Sequence, residues 1–305
     1  MSTETTKAGA PATAATRADP ARPTAPPPPP EIKTTPVSVP IEGKADLKFD
    51  VADDADGDVY FSLSVRKSGS TMLHKIVNAL ARRNGVNSVD VPGTFFRHGM
   101  RVADWVKADL QEILKPGNIY IGYRSFPTNM AGYPLFQSAK KILMFRDPRD
   151  ALVSQYFSDA YSHSLPSRDT ETGRKAAEAF EKKREEVRAT SIDDYVVKNA
   201  KAIETTLLAY AAMLKDPTCL CLRYEDYVFQ KKRLIYKILQ HFEWSCPPGI
   251  IEGLLKHIDE IPEVEDTARF VRRVIPGDHR NKLKPEAIRR LNNQLKESMR
   301  VFDYY

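Results

Sequence analysis

Residues 59–73 read VYFSLSVRKSGSTML. The first seven form an apolar, β-prone run. The chain then turns through Arg66, Lys67, Ser68, Gly69, Ser70 and Thr71, and residues 72–83 suit a helix. A strand that feeds a helix through a short basic turn holds anions for elementary reasons. The first N–H groups of a helix lack intrahelical partners and point into the turn. Lys67 adds a compact charge, and Ser68, Ser70 and Thr71 add hydroxyl donors. Gly69 lets a ligand approach the backbone with no Cβ between them. The turn is a candidate cradle for a phosphate or sulfate group.

Outward from this turn, short apolar runs alternate with helical patterns. Residues 118–123 (NIYIGY), 140–145 (KKILMF) and 218–222 read as further strands. The run 140–145 is continuous, as expected of a strand buried in a parallel sheet. Helices are expected over 104–114, 149–161, 192–215, 230–242, 248–258 and 285–301. The charge-dense segment 169–188 reads as a solvated helix or lid, and Asp53, Asp54, Asp56 and Asp58 as a solvated acidic turn. Strands alternating with helices predict an α/β fold with a central, mostly parallel sheet flanked by helices.

Composition narrows the class. The chain has 305 residues, net charge +6 and a pI near 9.0, mildly basic and short of the excess expected of a nucleic-acid binder. Cys219, Cys221 and Cys246 are too few for a disulfide framework, which makes a reducing, cytoplasmic setting the expectation. No apolar run approaches the ~20 residues that span a bilayer. Residues 1–45 are rich in Ala, Thr and Pro, with five prolines at 26–30, and are expected to form a disordered tail before a domain over 46–305. A proline-binding partner is the sharper reading of that tail.

The lysine order decides which anion chemistry fits. A Walker A loop ends in Gly-Lys-Ser/Thr, whereas here Lys67 precedes Gly69. A nucleotide–Mg²⁺ site also needs an acidic residue after an apolar strand, and the strand 140–145 delivers Arg146. Lys67, Arg146 with Arg149, and Arg272 with Arg273 supply several cationic phosphate contacts and no evident metal site. A nucleoside with phosphates at both ends satisfies that pattern.

These motifs resemble the sulfotransferase family that uses 3′-phosphoadenosine 5′-phosphosulfate (PAPS). Residues 66–71, RKSGST, are similar to the family's 5′-phosphosulfate loop, Lys-Ser-Gly-Thr-Thr. Residues 145–156, FRDPRDALVSQY, are similar to its 3′-phosphate motif, with Arg146 and Ser154 eight residues apart. Tyr224, Glu225 and Asp226 resemble a Tyr-Glu-Asp segment whose tyrosine lies near the adenine. Arg272 and Arg273 with Gly277 and Asp278 resemble the late motif that closes over the 3′-phosphate, although Val274 replaces a glycine there. The resemblance covers residues 60–283 and implies a P-loop-NTPase-like sulfotransferase fold.

The activity so implied is in-line transfer of a sulfuryl group from PAPS to an acceptor hydroxyl or amine, without metal. Lys67 would meet the transferring group and the bridging oxygen. Arg66 and residues 68–71 would hold the 5′-phosphate. Arg146, Ser154, Arg272 and Arg273 would hold the 3′-phosphate. Small-molecule members of the family place a histidine base in a Thr-His-x-Pro turn, where Ser125 stands here, and polysaccharide-modifying and some bacterial members use a carboxylate in the segment after the first helix, which here holds Phe95, Phe96, Arg97 and His98. His98 is the candidate base, with His163 and Asp159 as alternatives. Phe95, Phe96, Phe126 and Tyr133 could line an acceptor pocket for a glycan, a glycolipid or a small phenol or alcohol. A non-catalytic nucleotide sensor using the same pocket is the other reading.

Overall fold

The computed structural model describes residues 27–54, 56–100, 102–267, 269 and 271–305. Seven strands run β1 (Thr34–Val39), β2 (Leu47–Ala52), β3 (Val59–Ser64), β4 (Asn87–Asp90), β5 (Asn118–Tyr123), β6 (Lys140–Phe145) and β7 (Cys219–Arg223). The last five make one parallel sheet in the order β4-β5-β3-β6-β7. β3 lies at its centre, between β5 and β6, with all six residues buried.

Each face of the sheet has its own core. On one face Tyr60, Ile119, Ile121, Ile142 and Met144 meet helices Ser70–Arg83, Lys231–Phe242 and Pro248–Ile258. On the other, Phe61, Leu63, Tyr120, Tyr123, Leu143 and Phe145 meet helices Pro148–Phe157, Ile192–Ala209 and Pro285–Gln294. Tyr120 and Tyr123 share a face although they are three apart, because the β3–β5 register shifts beside Gly122. Gly122 takes φ +87, and a Cβ there would lie 2.1 Å from an Asp90 carboxylate oxygen.

The central strands and most helices fall where the sequence places them, and the differences lie mostly around the hairpin and the sheet edge. β1 pairs antiparallel with β2, from Thr34 opposite Ala52 to Val39 opposite Leu47. A tail disordered to residue 45 is therefore overturned at 34–39; residues 1–26 lie outside those described. Asn118 fastens this hairpin to the sheet, its side chain accepting from Ala52 N and donating to Ala52 O, both at 2.9 Å. The helix expected over 104–114 is a single turn, Val102–Trp105, then a loop and the 3₁₀ turn Gln111–Ile113. β2, β4 and helix Val91–Arg97 were not expected, and the helix over 285–301 divides into Pro285–Gln294 and Lys296–Val301. Among the described residues no helix is long and apolar enough to cross a membrane.

One lysine inside the sheet ties β6 to its surroundings. Lys141 is fully buried, and its Nζ donates to the carbonyls of Phe136 (3.0 Å), Gln137 (3.1 Å) and Ala139 (2.7 Å). Thr218 Oγ1 at 2.6 Å and Asp216 at 3.3 Å complete its surroundings. Lys141→Met keeps the stem and strands the acceptors, so we expect a loss of about 3 kcal/mol in urea unfolding. An unchanged midpoint would show that the Nζ contacts stabilise nothing.

Candidate active site

Parallel strands deliver their following loops to one edge of the sheet, the place where open α/β sheets bind ligands. Here β3 delivers Arg66 and Lys67, β5 delivers Arg124, β6 delivers Arg146, and β7 delivers Tyr224. All five line one cavity of ≈ 1740 Å³, together with Gly69, Ser70, Thr71, Ser154, Arg272 and Arg273. The donor-site residues proposed from sequence are thus brought together, apart from Ser68, whereas of the acceptor and base candidates Phe96 and His163 line the cavity and Phe95, His98, Phe126, Tyr133 and Asp159 do not.

The loop after β3 is shaped by two left-handed residues, Lys67 at φ +66 and Gly69 at φ +83. Such alternation curls the backbone into a concave turn. Helix Ser70–Arg83 follows with no side-chain cap. Its first bond runs from Leu73 N to Gly69 O (3.0 Å), so the preceding N–H groups have no intrahelical partner. Gly69 is required for a second reason: a Cβ would lie 2.8 Å from the Tyr224 ring. Ser68 departs from expectation. Its hydroxyl lies 2.5 Å from Val65 O and 2.9 Å from Met144 O, and its N–H donates to Val65 O. It latches the loop to the sheet and is fully buried.

The electrostatics are crowded with one sign. Burial first, and then Arg66, Arg124 and Arg146, pull the Lys67 ammonium down to about 8, with Asp159 opposing. Arg66 reaches Asp159 at 3.2 Å, and Arg124 Nε donates to Ser70 Oγ at 3.2 Å. Arg146 is buried, stacks 4.5 Å over Tyr224 and lies 3.5 Å from both Lys67 O and Asp150. Its Nε has no partner among the described residues. Arg149, weighed as a phosphate contact, is instead structural: it binds Asp147 at 2.7 Å, Asn292 at 3.0 Å and Tyr304 O at 3.2 Å.

The late arginines sit across the cavity. Arg272 stacks 4.1 Å over Phe157 and donates to Glu265 and Asp278, while Arg273 reaches Glu265 at 3.4 Å. Asp150 anchors this segment. It accepts from Gly277 N (2.6 Å), His279 N (3.0 Å) and His279 Nδ1 (2.6 Å). Sequence reading gave Asp150, Asp159 and Arg124 no place in the donor site. Arg124 had a signal: it leaves β5 as Arg146 leaves β6.

His98 is not in the cavity. It is exposed, at the end of helix Val91–Arg97, with Nδ1 2.8 Å from Thr94 O. His163 does line the cavity, as does Ser125.

Residues 58–303 match the family described as the sulfotransferase domain. The chain belongs to the sulfotransferase family. The fold agrees: mouse sulfotransferase SULT7A1 complexed with PAP is similar at TM-score 0.54 and 17% identity, over 83% of this chain and 87% of that one. Retinol dehydratase in complex with retinol and PAP is also similar, at 15% identity over 88% and 91% of the two chains, with TM-score 0.44. No curated protein matches the chain.

Asp150 gives this sulfotransferase an acid-sensitive joint. Burial alone would raise its pKa, but the His279 hydrogen bond and the Arg146 charge outweigh it and hold the carboxyl at about 2. A carboxyl held below its unfolded value stabilises fully above about pH 4, and loses that stabilisation as pH falls through about 2. Asp150→Asn should lower stability at pH 7 by about 2 kcal/mol and flatten the acid limb of the stability profile. Parallel acid limbs in the two proteins would contradict this.

Proposed function

We propose that the donor is PAPS and that the chain transfers its sulfuryl group to a hydroxyl or amine of a glycan or glycolipid. The observation that carries the donor reading is the convergence of Arg66, Lys67, Arg124 and Arg146 at one sheet edge, where like charges are crowded around one cavity. Such a cluster favours a polyanion, because an anion's charge offsets the repulsion among the cations. The residues fit the nucleotide. Arg146 Nε is a buried donor awaiting an acceptor, and the space above Gly69 is a cradle that a Cβ would fill. That the mouse neighbour was solved with PAP supports the same reading.

The residues divide the work by position. Arg66, Ser70, Thr71 and the N–H groups at the start of helix Ser70–Arg83 are placed for the 5′-phosphate. Arg146, Ser154, Arg272 and Arg273 are placed for the 3′-phosphate, and Tyr224 for the base. Lys67, at the turn's left-handed corner, faces the transferring group and meets the charge that builds on the leaving oxygen. Arg124, held by Ser70, adds a second cation from β5.

The acceptor side supports something larger than a phenol. The cavity of ≈ 1740 Å³ exceeds the roughly 300–1,000 Å³ of a drug-sized pocket, leaving room for the nucleotide and an extended partner. It is also lined by Phe96, Met100, Trp105 and Phe180, apolar side chains that suit sugar faces or lipid chains.

The donor reading is tested by thermal shift. Adenosine 3′,5′-bisphosphate without metal should stabilise the protein, and ATP with Mg²⁺ should not. Lys67→Ala should lower turnover by at least about 10²-fold while keeping most bisphosphate binding. Near-normal turnover in that variant would remove the role given to Lys67. A screen with radiolabelled donor should label glycans or glycolipids ahead of simple phenols, and the reverse order would overturn the acceptor reading.

A further inference from the structure

We propose that His163 is the general base that takes the proton from the acceptor hydroxyl, through Nε2. The inference rests on the sulfotransferase reading above and concerns the step that Ser125 cannot perform, since an unassisted hydroxyl is no base at neutral pH.

His163 is fixed in place by its backbone. Helix Pro148–Phe157 continues into one π turn, Ser158–Ser162, a feature often found at functional sites. His163 follows it directly. Its N–H donates to Ser158 O (2.8 Å), and its carbonyl accepts from Arg184 (2.6 Å). The ring lies against Phe180 (5.3 Å between centroids) and Phe96 (6.0 Å), and faces the same cavity as Lys67 and Arg124.

The tautomer follows from one contact. His163 Nδ1 lies 2.7 Å from Ser164 O, and a carbonyl only accepts. Nδ1 therefore carries the hydrogen in the neutral ring, and Nε2 keeps its lone pair.

The surroundings keep the ring neutral. Burial comes first, and the charges of Arg66 and Lys67 add to it, so the pKa falls below the ordinary 6.5 although the Ser164 bond and Asp159 oppose. Asp159 is largely committed elsewhere, to Arg66 (3.2 Å), Lys183 (3.1 Å) and Tyr195 (2.7 Å). Helix Glu171–Arg188 presents further cations here: Lys183 on Asp159, Arg184 on His163 O, Arg188 on Ala160 O, and Lys175 at the cavity wall.

The step balances. The acceptor O–H proton moves to Nε2 as the oxygen bonds to sulfur. The bond from sulfur to the bridging oxygen breaks, and its electron pair leaves with adenosine 3′,5′-bisphosphate.

Two measurements test it. In the nucleotide-free protein, proton–nitrogen NMR of the histidine rings should show His163 neutral at pH 7 with its hydrogen on Nδ1. A hydrogen on Nε2 overturns the proposal. In kinetics, His163→Gln should lower kcat for an alcohol acceptor by about 10²–10⁴-fold, and for a nitrophenol, which ionises unaided, by no more than about tenfold. The acid limb of the wild-type pH–rate profile should vanish with it, while bisphosphate stabilisation stays. Equal losses for both acceptors, or a retained alcohol rate, overturn the base assignment alone. Wild type that neither binds the bisphosphate nor sulfates any acceptor overturns the sulfotransferase donor reading, and this proposal with it.

Discussion

Four cations, Arg66, Lys67, Arg124 and Arg146, crowd one sheet edge and repel each other, and the site is arranged around that repulsion. Lys67 registers it most clearly, its ammonium pulled toward neutrality by burial and by Arg66, Arg124 and Arg146. Carboxylates relieve the strain at the margins rather than in the middle. Asp159 takes Arg66, Asp150 lies beside Arg146, and Glu265 with Asp278 hold Arg272 and Arg273. The centre is left electropositive, which is the condition for a polyanion to bind there more strongly than in water.

Only a rigid backbone can keep such a cluster from relaxing apart. The parallel sheet provides it, because β3, β5 and β6 end side by side with buried residues on both faces. Ser68 then fastens the loop to Val65 and Met144, so the turn moves with the sheet. Tyr224, arriving from β7, packs so closely on Gly69 that no side chain fits between them. Its ring also bears the Arg146 guanidinium, at 4.5 Å. One tyrosine thus joins the two ends of the nucleotide site through contact alone.

The sheet was legible in the sequence because buried parallel strands are continuous apolar runs, as at 140–145 and 118–123. β1 was not, because TTPVSV has a proline and exposes most of its length, so it carries no run or strong alternation. The candidate donor site was legible for a related reason: most of its motifs are contiguous, a strand followed by its loop. Side-chain direction is not contiguous information. Ser68 sits inside the anion motif yet turns to the core, and His98 stands in the expected segment yet bonds back to Thr94. His163 reaches the cavity only because a π turn inserts before it, and periodicity does not reveal that.

The late arginines illustrate how far a motif can be read. Two adjacent arginines suggest cations free in water, whereas Arg272 is already bonded to Glu265 and Asp278 and packed on Phe157. Glu265 also accepts from Lys282 at 2.7 Å, so three cations share one carboxylate. A phosphate joining them replaces carboxylate oxygens with its own instead of stripping water from bare guanidinium groups. The gain is then the difference between two anions, smaller than that of first pairing. Asp150 has the opposite role: its oxygens accept from the backbone N–H groups of Gly277 and His279 rather than from the arginines of the segment. In the proposed nucleotide complex the segment would stay anchored at Asp150 while its arginines exchange carboxylate for phosphate oxygens.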